Sequence, residues 1–521
     1  MAHSELHQME SNGYTNGKSV ATSRDKPEIA EKEVRQDYED VLSIIGFGKT
    51  QWIVWLSSGL LIMMVINETM GMSILTIASQ CDFGTNSIDK AVMSGSSFIG
   101  ILATSYFWGY FSDTLGRRTI LLYTTFIGNF FSFVSVFIPN YWAFVFLRFL
   151  TGSCIAGASS TTYAYLGEFF IQSHRPVVIN YASLFVGLAM AYIPAVAWGV
   201  LSFDWSFSVF GAYDFRPWRL LIICNLLPGL IGALILLALP ESPKLLLALG
   251  KEQEALDAVN WINKMNTSNS RPLQVFHLKA ESNVENSAVL ATKSSTGALR
   301  KMWQETRPLL MPPYVLNFLI SCIIMFGLFL SSGGMALWYP EIQNRVGSDD
   351  EWMTVCQVID TSMIVPEQNV TSVLCDDHIS VKSYIDSITF GLIYMAGYIV
   401  LGIVINPIGR KQVLIGALVI SSALGISLHW ILQPTAIVAA FCLFLILPGL
   451  CVSVLSGAVV DLVPTHLRGK AVCICLMLGR SGSVIGSNII GVLLESYCSL
   501  TFSFFSGFVL ICAGLAFILP I

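Results

Sequence analysis

The run Gly109-Tyr-Phe-Ser-Asp113-Thr-Leu-Gly116-Arg117-Arg118 lies between two long apolar stretches. A connector between two membrane spans need only be polar. This one holds a glycine, an acid four residues on, and then Gly-Arg-Arg. The pattern returns 293 residues later as Gly402-Ile-Val-Ile-Asn406-Pro-Ile-Gly409-Arg410-Lys411. A second pair keeps the same offset: Glu168 precedes Arg175 by seven residues, and Asp461 precedes Arg468 by seven. Two features on one offset indicate a tandem duplication, so each half of the chain can be read against the other.

Composition says what the duplicated unit is made for. The chain is 54% apolar and 12% charged, where soluble domains carry roughly 25% charge. It has too little charge to cover a soluble surface, whereas a membrane protein has lipid for solvent. Residues 1–50 are polar with mixed charge and read as a solvated arm, with no apolar core before Trp52 to act as a secretory signal. Apolar runs follow at 52–78, 91–112, 119–138, 142–166, 177–201 and 217–239. Six more lie at 312–336, 384–406, 412–431, 435–458, 471–492 and 499–520. As a helix, each can cross a hydrocarbon core of about 30 Å. The expectation is an all-α membrane protein of twelve transmembrane helices in two six-helix bundles. The tail would be 1–50, the first bundle 51–240, the linker 241–311 and the second bundle 312–521, with an outer loop at 337–383.

Charge orients this layout. With the amino terminus inside, 22 Lys and Arg fall on inner segments and four on outer ones (Lys90, Arg216, Arg345 and Lys382). That bias places both termini and the linker in the cytoplasm.

Twelve spans in two halves around a cytoplasmic linker resemble the major facilitator superfamily. The Gly109–Arg118 run resembles its loop between the second and third spans, with Gly402–Lys411 as the echo. The resemblance implies a cytoplasmic latch between the halves built from Gly109, Asp113, Gly116, Arg117 and Arg118. The echo, Asn406, Gly409 and Arg410, is weaker because Asn406 stands in place of the acid. Glu168, Arg175, Glu241, Asp461 and Arg468 are expected to form salt bridges between the halves that open during cycling. Pro240-Glu241-Ser242-Pro243-Lys244, Tyr165-Leu-Gly-Glu168-Phe-Phe and Leu337-Trp338-Tyr339-Pro340 resemble motifs of the synaptic vesicle glycoprotein 2 family. The stretch 337–383 is too short for that family's large lumenal domain, so the resemblance is to a short-loop relative.

That outer stretch has content of its own. Asn369-Val-Thr371 is a glycosylation acceptor pattern. Cys356 and Cys375 lie in the same stretch, as free thiols or as a disulfide contributing about 3 kcal/mol through chain entropy.

Charges inside spans usually face a cavity. Glu68 falls about 24 Å from the inner boundary of the first span. Arg148 falls roughly 21 Å from the same boundary on the fourth. The two are expected to meet, as a polar node of a cavity or as an ion pair that fixes packing. Arg480, in the eleventh span, resembles a lysine position of the family. An anionic substrate group, a carboxylate partner or snorkelling would answer it. Trp198 matches a family tryptophan that lines the central cavity, and its place near a span end equally suits an interfacial anchor. The family has two acids in the first span, and Val65 stands where the first would be.

The reading is a secondary active transporter of a small organic solute working by alternating access, with proton coupling through Glu68 as an option. The alternative is a non-transporting vesicle glycoprotein or receptor. Neither a nucleotide loop nor a catalytic cluster marks an enzyme. No cofactor, metal or nucleic acid is expected; membrane lipids are, and a monomer. The location is the plasma membrane or a secretory or synaptic-type vesicle.

Overall fold

A computed structural model describes residues 35–203, 205–209, 213–266, 277–279, 306–346, 353–357, 379–463, 468–494 and 497–520. Asn369 and Cys375 lie outside these residues. Nineteen helices order the described chain. A short α1 (Tyr38–Ile45) precedes the first span, α2 (Lys49–Met70) and α3 (Met72–Ala78), then α4 (Gln80–Phe83). Next come α5 (Ser87–Leu115), α6 (Arg117–Ser135), α7 (Tyr141–Glu168), α8 (Arg175–Ala182), α9 (Leu184–Leu201) and α10 (Pro217–Leu237). The linker holds α11 (Pro243–Ala248) and α12 (Glu252–Asn266). The second half has α13 (Val315–Phe329), a π turn at Leu330–Met335 and α14 (Tyr339–Val346). It ends with α15 (Val381–Ile408), α16 (Arg410–Ser427), α17 (Pro434–Leu462), α18 (Arg468–Leu493) and α19 (Cys498–Ile518). Counting broken helices once, twelve spans result.

The 293-residue offset reappears in the element bounds. Moved by it, Ser87–Leu115 falls on Val381–Ile408, Arg117–Ser135 on Arg410–Ser427, and Tyr141–Glu168 on Pro434–Leu462, each within a residue. The turns between these spans have matching lengths, which keeps the count. It fails at the ends. Lys49 and Val315 are 266 residues apart, because the second half carries the longer connection between its first two spans.

The repeated glycines have a structural reason. Only one residue separates α5 from α6, and one separates α15 from α16. Gly116 (φ 118°) and Gly409 (φ 94°) make these turns in backbone territory that a side chain disfavours. Polar caps start other spans: Asn86 accepts from the Asp89 amide at 2.9 Å, and Asn140 from the Ala143 amide at 3.1 Å.

Ten spans are apolar enough to cross a membrane on composition alone. The other two are α5 and α6. Their polar residues are covered by protein: Ser94, Ser96, Ser97, Ser105 and Ser112 of α5 are buried, as are Thr124, Thr125, Ser132 and Ser135 of α6. A helix shielded by its neighbours needs less lipid-facing apolar surface.

The halves meet along two antiparallel seams. Where α9 meets α15, a Cβ on Gly187 would lie 2.5 Å from the Met395 nitrogen, and one on Gly391 only 2.2 Å from the Ala191 nitrogen. Where α5 meets α18, a Cβ on Gly95 would find Asn488 at 3.5 Å. We call the side holding α1, α11 and α12 the tail face, and the opposite side the loop face.

Candidate functional site

The structure brings Glu68 and Arg148 together. Arg148 Nη1 lies 2.8 Å from Glu68 Oε2, and both side chains are 1% exposed. The Ser132 hydroxyl reaches both carboxylate oxygens, at 3.0 and 2.9 Å. Arg148 Nη2 donates to Ser135 Oγ at 2.5 Å, and the Phe144 ring centre is 5.1 Å from its guanidinium carbon. A buried ion pair tolerates its dehydration only when remaining donors and acceptors are also met. The two α6 serines meet most of that need, and among the described residues Arg148 Nε is left without a partner. Sequence reading missed them, although their three-residue spacing puts both near one side of α6.

Arg480 is different. It extends from α18 across the seam to Ser105 Oγ on α5 at 3.4 Å and to Ser159 Oγ on α7. Among the described residues no carboxylate lies within 4.0 Å of it. Tyr163, one turn beyond Ser159, is in electrostatic reach of Arg480 and of Tyr394 and Tyr398 on α15, whose rings are 5.5 Å apart. Trp198 joins neither group. It sits near the loop-face end of α9, 38% exposed.

Among the described residues Glu168, Arg175 and Glu241 pair inside the first half, where bridges between the halves were expected. Glu168 binds Arg117 at 2.9 Å, and Asp113 lies 3.5 Å from the same guanidinium. Arg175 binds Glu39 of α1, which also stands 3.8 Å from Lys244. Tyr38 donates to the Glu168 carbonyl at 2.7 Å. Burial, aided by the Glu168 charge, drives the Tyr38 phenol well above its ordinary range, so it stays a neutral donor. Glu241 accepts from the Arg118 amide at 2.8 Å and the Thr119 amide at 3.3 Å, and so caps α6. Arg118 in return donates to the Leu236 and Leu237 carbonyls at the end of α10, at 3.1 and 2.8 Å. The physical reason is reach: helix ends within one bundle supply unpaired amides and carbonyls next to these charges. Lys411, the repeat partner of Arg118, likewise donates to the Leu519 carbonyl just past α19 at 2.8 Å. Gly109 lies in α5, where a Cβ would find Cys473 Sγ of α18 as its nearest neighbour, at 4.0 Å. The side chains of Asn406, Asp461 and Arg468 lie outside the described set, although the backbones of α15, α17 and α18 that carry them are within it.

A bridge between halves does exist, on the loop face. Lys90 of α5 binds Glu341 of α14 at 3.2 Å, and both are largely buried. The sequence offered no signal for this pair, since its members are 251 residues apart and Lys90 counts as an ordinary loop charge. The disulfide also differs from expectation. Cys356 bonds Cys498 at the start of α19, across 142 residues, and not Cys375. Spacing alone favoured a local loop, but the fold carries the start of the twelfth span to the segment 353–357. Cys81 is disulfide-bonded too.

These observations meet in one class. Two repeated six-helix bundles, meeting through glycine-rich seams with charge held mid-span, are the architecture of membrane transporters. The family model of the Major Facilitator Superfamily matches residues 51–366, and the chain belongs to that superfamily. Within it the chain is similar to the synaptic vesicle glycoprotein 2 proteins. It is 27% identical over 345 residues to synaptic vesicle glycoprotein 2B of Mus musculus, covering 63% of this chain and 50% of that one. To synaptic vesicle glycoprotein 2C of Homo sapiens it is 27% identical over 335 residues, covering 61% and 46%. The chain thus spans about half the length of the curated relatives it matches. The partially occluded inward-open xylose transporter XylE from E. coli matches with a TM-score of 0.63 at 14% identity, over 91% of this chain and 100% of that one. A crystal structure of a D-xylose–proton symporter matches with a TM-score of 0.61 at 14% identity, over 90% and 97%. The likeness establishes the fold, that of a multi-pass integral membrane protein.

Proposed function

We propose that this chain is a secondary active transporter that carries a small organic solute by alternating access. The halves rock about the α5–α18 and α9–α15 seams, with the tail face toward the cytoplasm. The observation that carries this reading is intramembrane charge at the seam: Arg480 extends from one half to hydroxyls of the other. A membrane anchor has no use for so costly a group. In this reading the Lys90–Glu341 pair closes the loop face and must part when that face opens. Glu68 is the coupling group, because its partner arginine keeps its charge. The D-xylose–proton symporter shares the fold and lends the analogy, no more.

Uptake by purified protein in proteoliposomes, from a mixed metabolite pool read by mass spectrometry, tests this. A solute should accumulate under an imposed pH gradient, and Glu68→Gln should lose the gradient-driven part. Absence of accumulation in any gradient would remove the transporter reading. Full pH-driven uptake by Glu68→Gln would remove the coupling role alone.

A further inference from the structure

We propose that Arg480, Ser105 and Ser159 form an oxyanion-binding site at the seam, and that the solute carried is an organic anion bearing a carboxylate or phosphate group. This rests on the transporter reading for the word carried; the binding site stands on its own geometry.

Charge balance sets Arg480 apart. Ionised groups within a span need an opposite charge or a polar cavity. In the first half, Arg148 has Glu68 at 2.8 Å and the pair is neutral. Arg480 has only two serine hydroxyls, and no acid within 4.0 Å among the described residues. A net positive charge therefore stands at the junction of the halves. It is partly buried.

The donors fit an oxyanion. Guanidinium presents five N–H groups in a flat fork that matches carboxylate or phosphate oxygens two at a time. The Ser105 hydroxyl donates to the Ile101 carbonyl at 2.6 Å and so holds Arg480 as an acceptor, while the Ser159 hydroxyl, which also accepts from Arg480, has its own proton to donate to a ligand. The Tyr163 phenol is in electrostatic reach of Arg480, with Tyr394 and Tyr398 beyond it, and such rings offer flat apolar area with a polar tip for the rest of the solute. The site takes α18 from one half and α5 and α7 from the other. A bound anion would thus join the halves at mid-membrane, and its arrival or loss would bear on their relative position.

The repeat supports a specific role. Arg480 lies 293 residues after Gly187, and Gly187 packs against the backbone of α15. At the equivalent seam the first half has a glycine for close contact, while the second half has a cation. Packing between the seams does not call for that arginine.

The test uses the full chain in lipid nanodiscs. A cell metabolite extract is split by ion exchange into acidic, neutral and basic fractions, and each is scored for a rise in melting temperature. The acidic fraction alone should stabilise the wild type, and phosphatase treatment of that fraction tells a phosphate ester from a carboxylate. Arg480→Gln should abolish the rise. Arg480→Lys, which keeps the charge and guards against a folding defect, should weaken affinity by about tenfold, the loss expected for one charge-assisted hydrogen bond. Stabilisation by the neutral or basic fraction alone, by none, or by the acidic fraction in Arg480→Gln as in wild type would overturn the site. Uptake in proteoliposomes separates the two claims. Anion binding without uptake would reject the transporter and keep the site; uptake of neutral or cationic solutes only would keep the transporter and reject the site.

Discussion

Laid over one another by the 293-residue offset, the two halves share a backbone and differ in what fills it. Arg148 of the first half falls on Phe441 of the second, Ser132 on Gly425, and Ser135 on Leu428. The first half holds a polar core, with an ion pair and two hydroxyls bonded away from solvent. The second half is packed with Phe441, Phe444, Phe502 and Phe505, all 2% exposed or less. Gly425 is there because Phe444 and Ser506 press on it: a Cβ would meet Ser506 Oγ at 2.2 Å. The same helices are thus stabilised by aromatic packing in one half and by polar closure in the other. The lesson is that this fold asks for filled volume at the bundle centre and leaves the chemistry free.

The sharpest way to break that comparison is to remove one member of the ion pair. Arg148→Met should destabilise the chain by about 3–5 kcal/mol, because Glu68 would be left buried and unpaired. The double variant Glu68→Leu/Arg148→Met imitates the second half and should regain most of the loss. Thermal unfolding in nanodiscs reads both. If the double variant melts no higher than Arg148→Met, the polar core is more than a filled volume, and the two halves are not interchangeable in kind.

The second contrast lies between the two faces. On the tail face Glu168 and Arg175 are fastened within the first half, and on the loop face Lys90–Glu341 joins the halves. Lys90→Gln should cost about 1.5–3 kcal/mol, as for hydrogen bonds to charged groups. It should also lengthen the distance between spin labels at Ile88→Cys and Val381→Cys, read by pulsed electron resonance. An unchanged distance distribution would mean that the seam glycines, not the ion pair, hold this face shut.

The seams themselves differ in tightness. Gly391→Ala would drive a methyl to 2.2 Å from the Ala191 nitrogen, and should cost about 1–3 kcal/mol by overpacking. Gly95→Ala meets Asn488 at an ordinary 3.5 Å and should melt like wild type. Equal melting temperatures for the two variants would show that the α9–α15 contact gives way under load.

Much of this was legible in sequence, for reasons that particular residues make plain. The offset is a property of covalent spacing, so it passed unchanged into the helix bounds from Ser87 to Leu462. Depth along a span is also linear in residue number, which is why Glu68 and Arg148 could be matched. What depends on the direction of a side chain around a helix end could not be counted that way. Glu241 and Arg175 were close in sequence to other tail-face charges, and sequence alone does not say which bundle a charge leans toward. Cys356–Cys498 and Lys90–Glu341 join residues 142 and 251 apart, and only the assembled bundle brings them together.

The smallest effect sharpens the comparison at the repeated turn. In the first half Glu241 accepts from the amides of Arg118 and Thr119, which face outward at the start of α6 with no partner in their own helix. Arg118 answers on the Leu236 and Leu237 carbonyls, so the clamp there is reciprocal. In the second half the matching contact runs from the basic residue, with Lys411 on the Leu519 carbonyl. Glu241→Gln keeps the shape and one acceptor while removing the charge, and should cost about 1 kcal/mol, the usual scale of a cap at a helix start. Lys411→Gln should cost less, since it gives up a single carbonyl contact. Hydrogen exchange at the first turn of α6 should quicken in Glu241→Gln, while the first turn of α16 stays as it was. Equal loss at both turns would mean that the carboxylate stabilises the whole tail face through its field, and that the helix start is not where it acts.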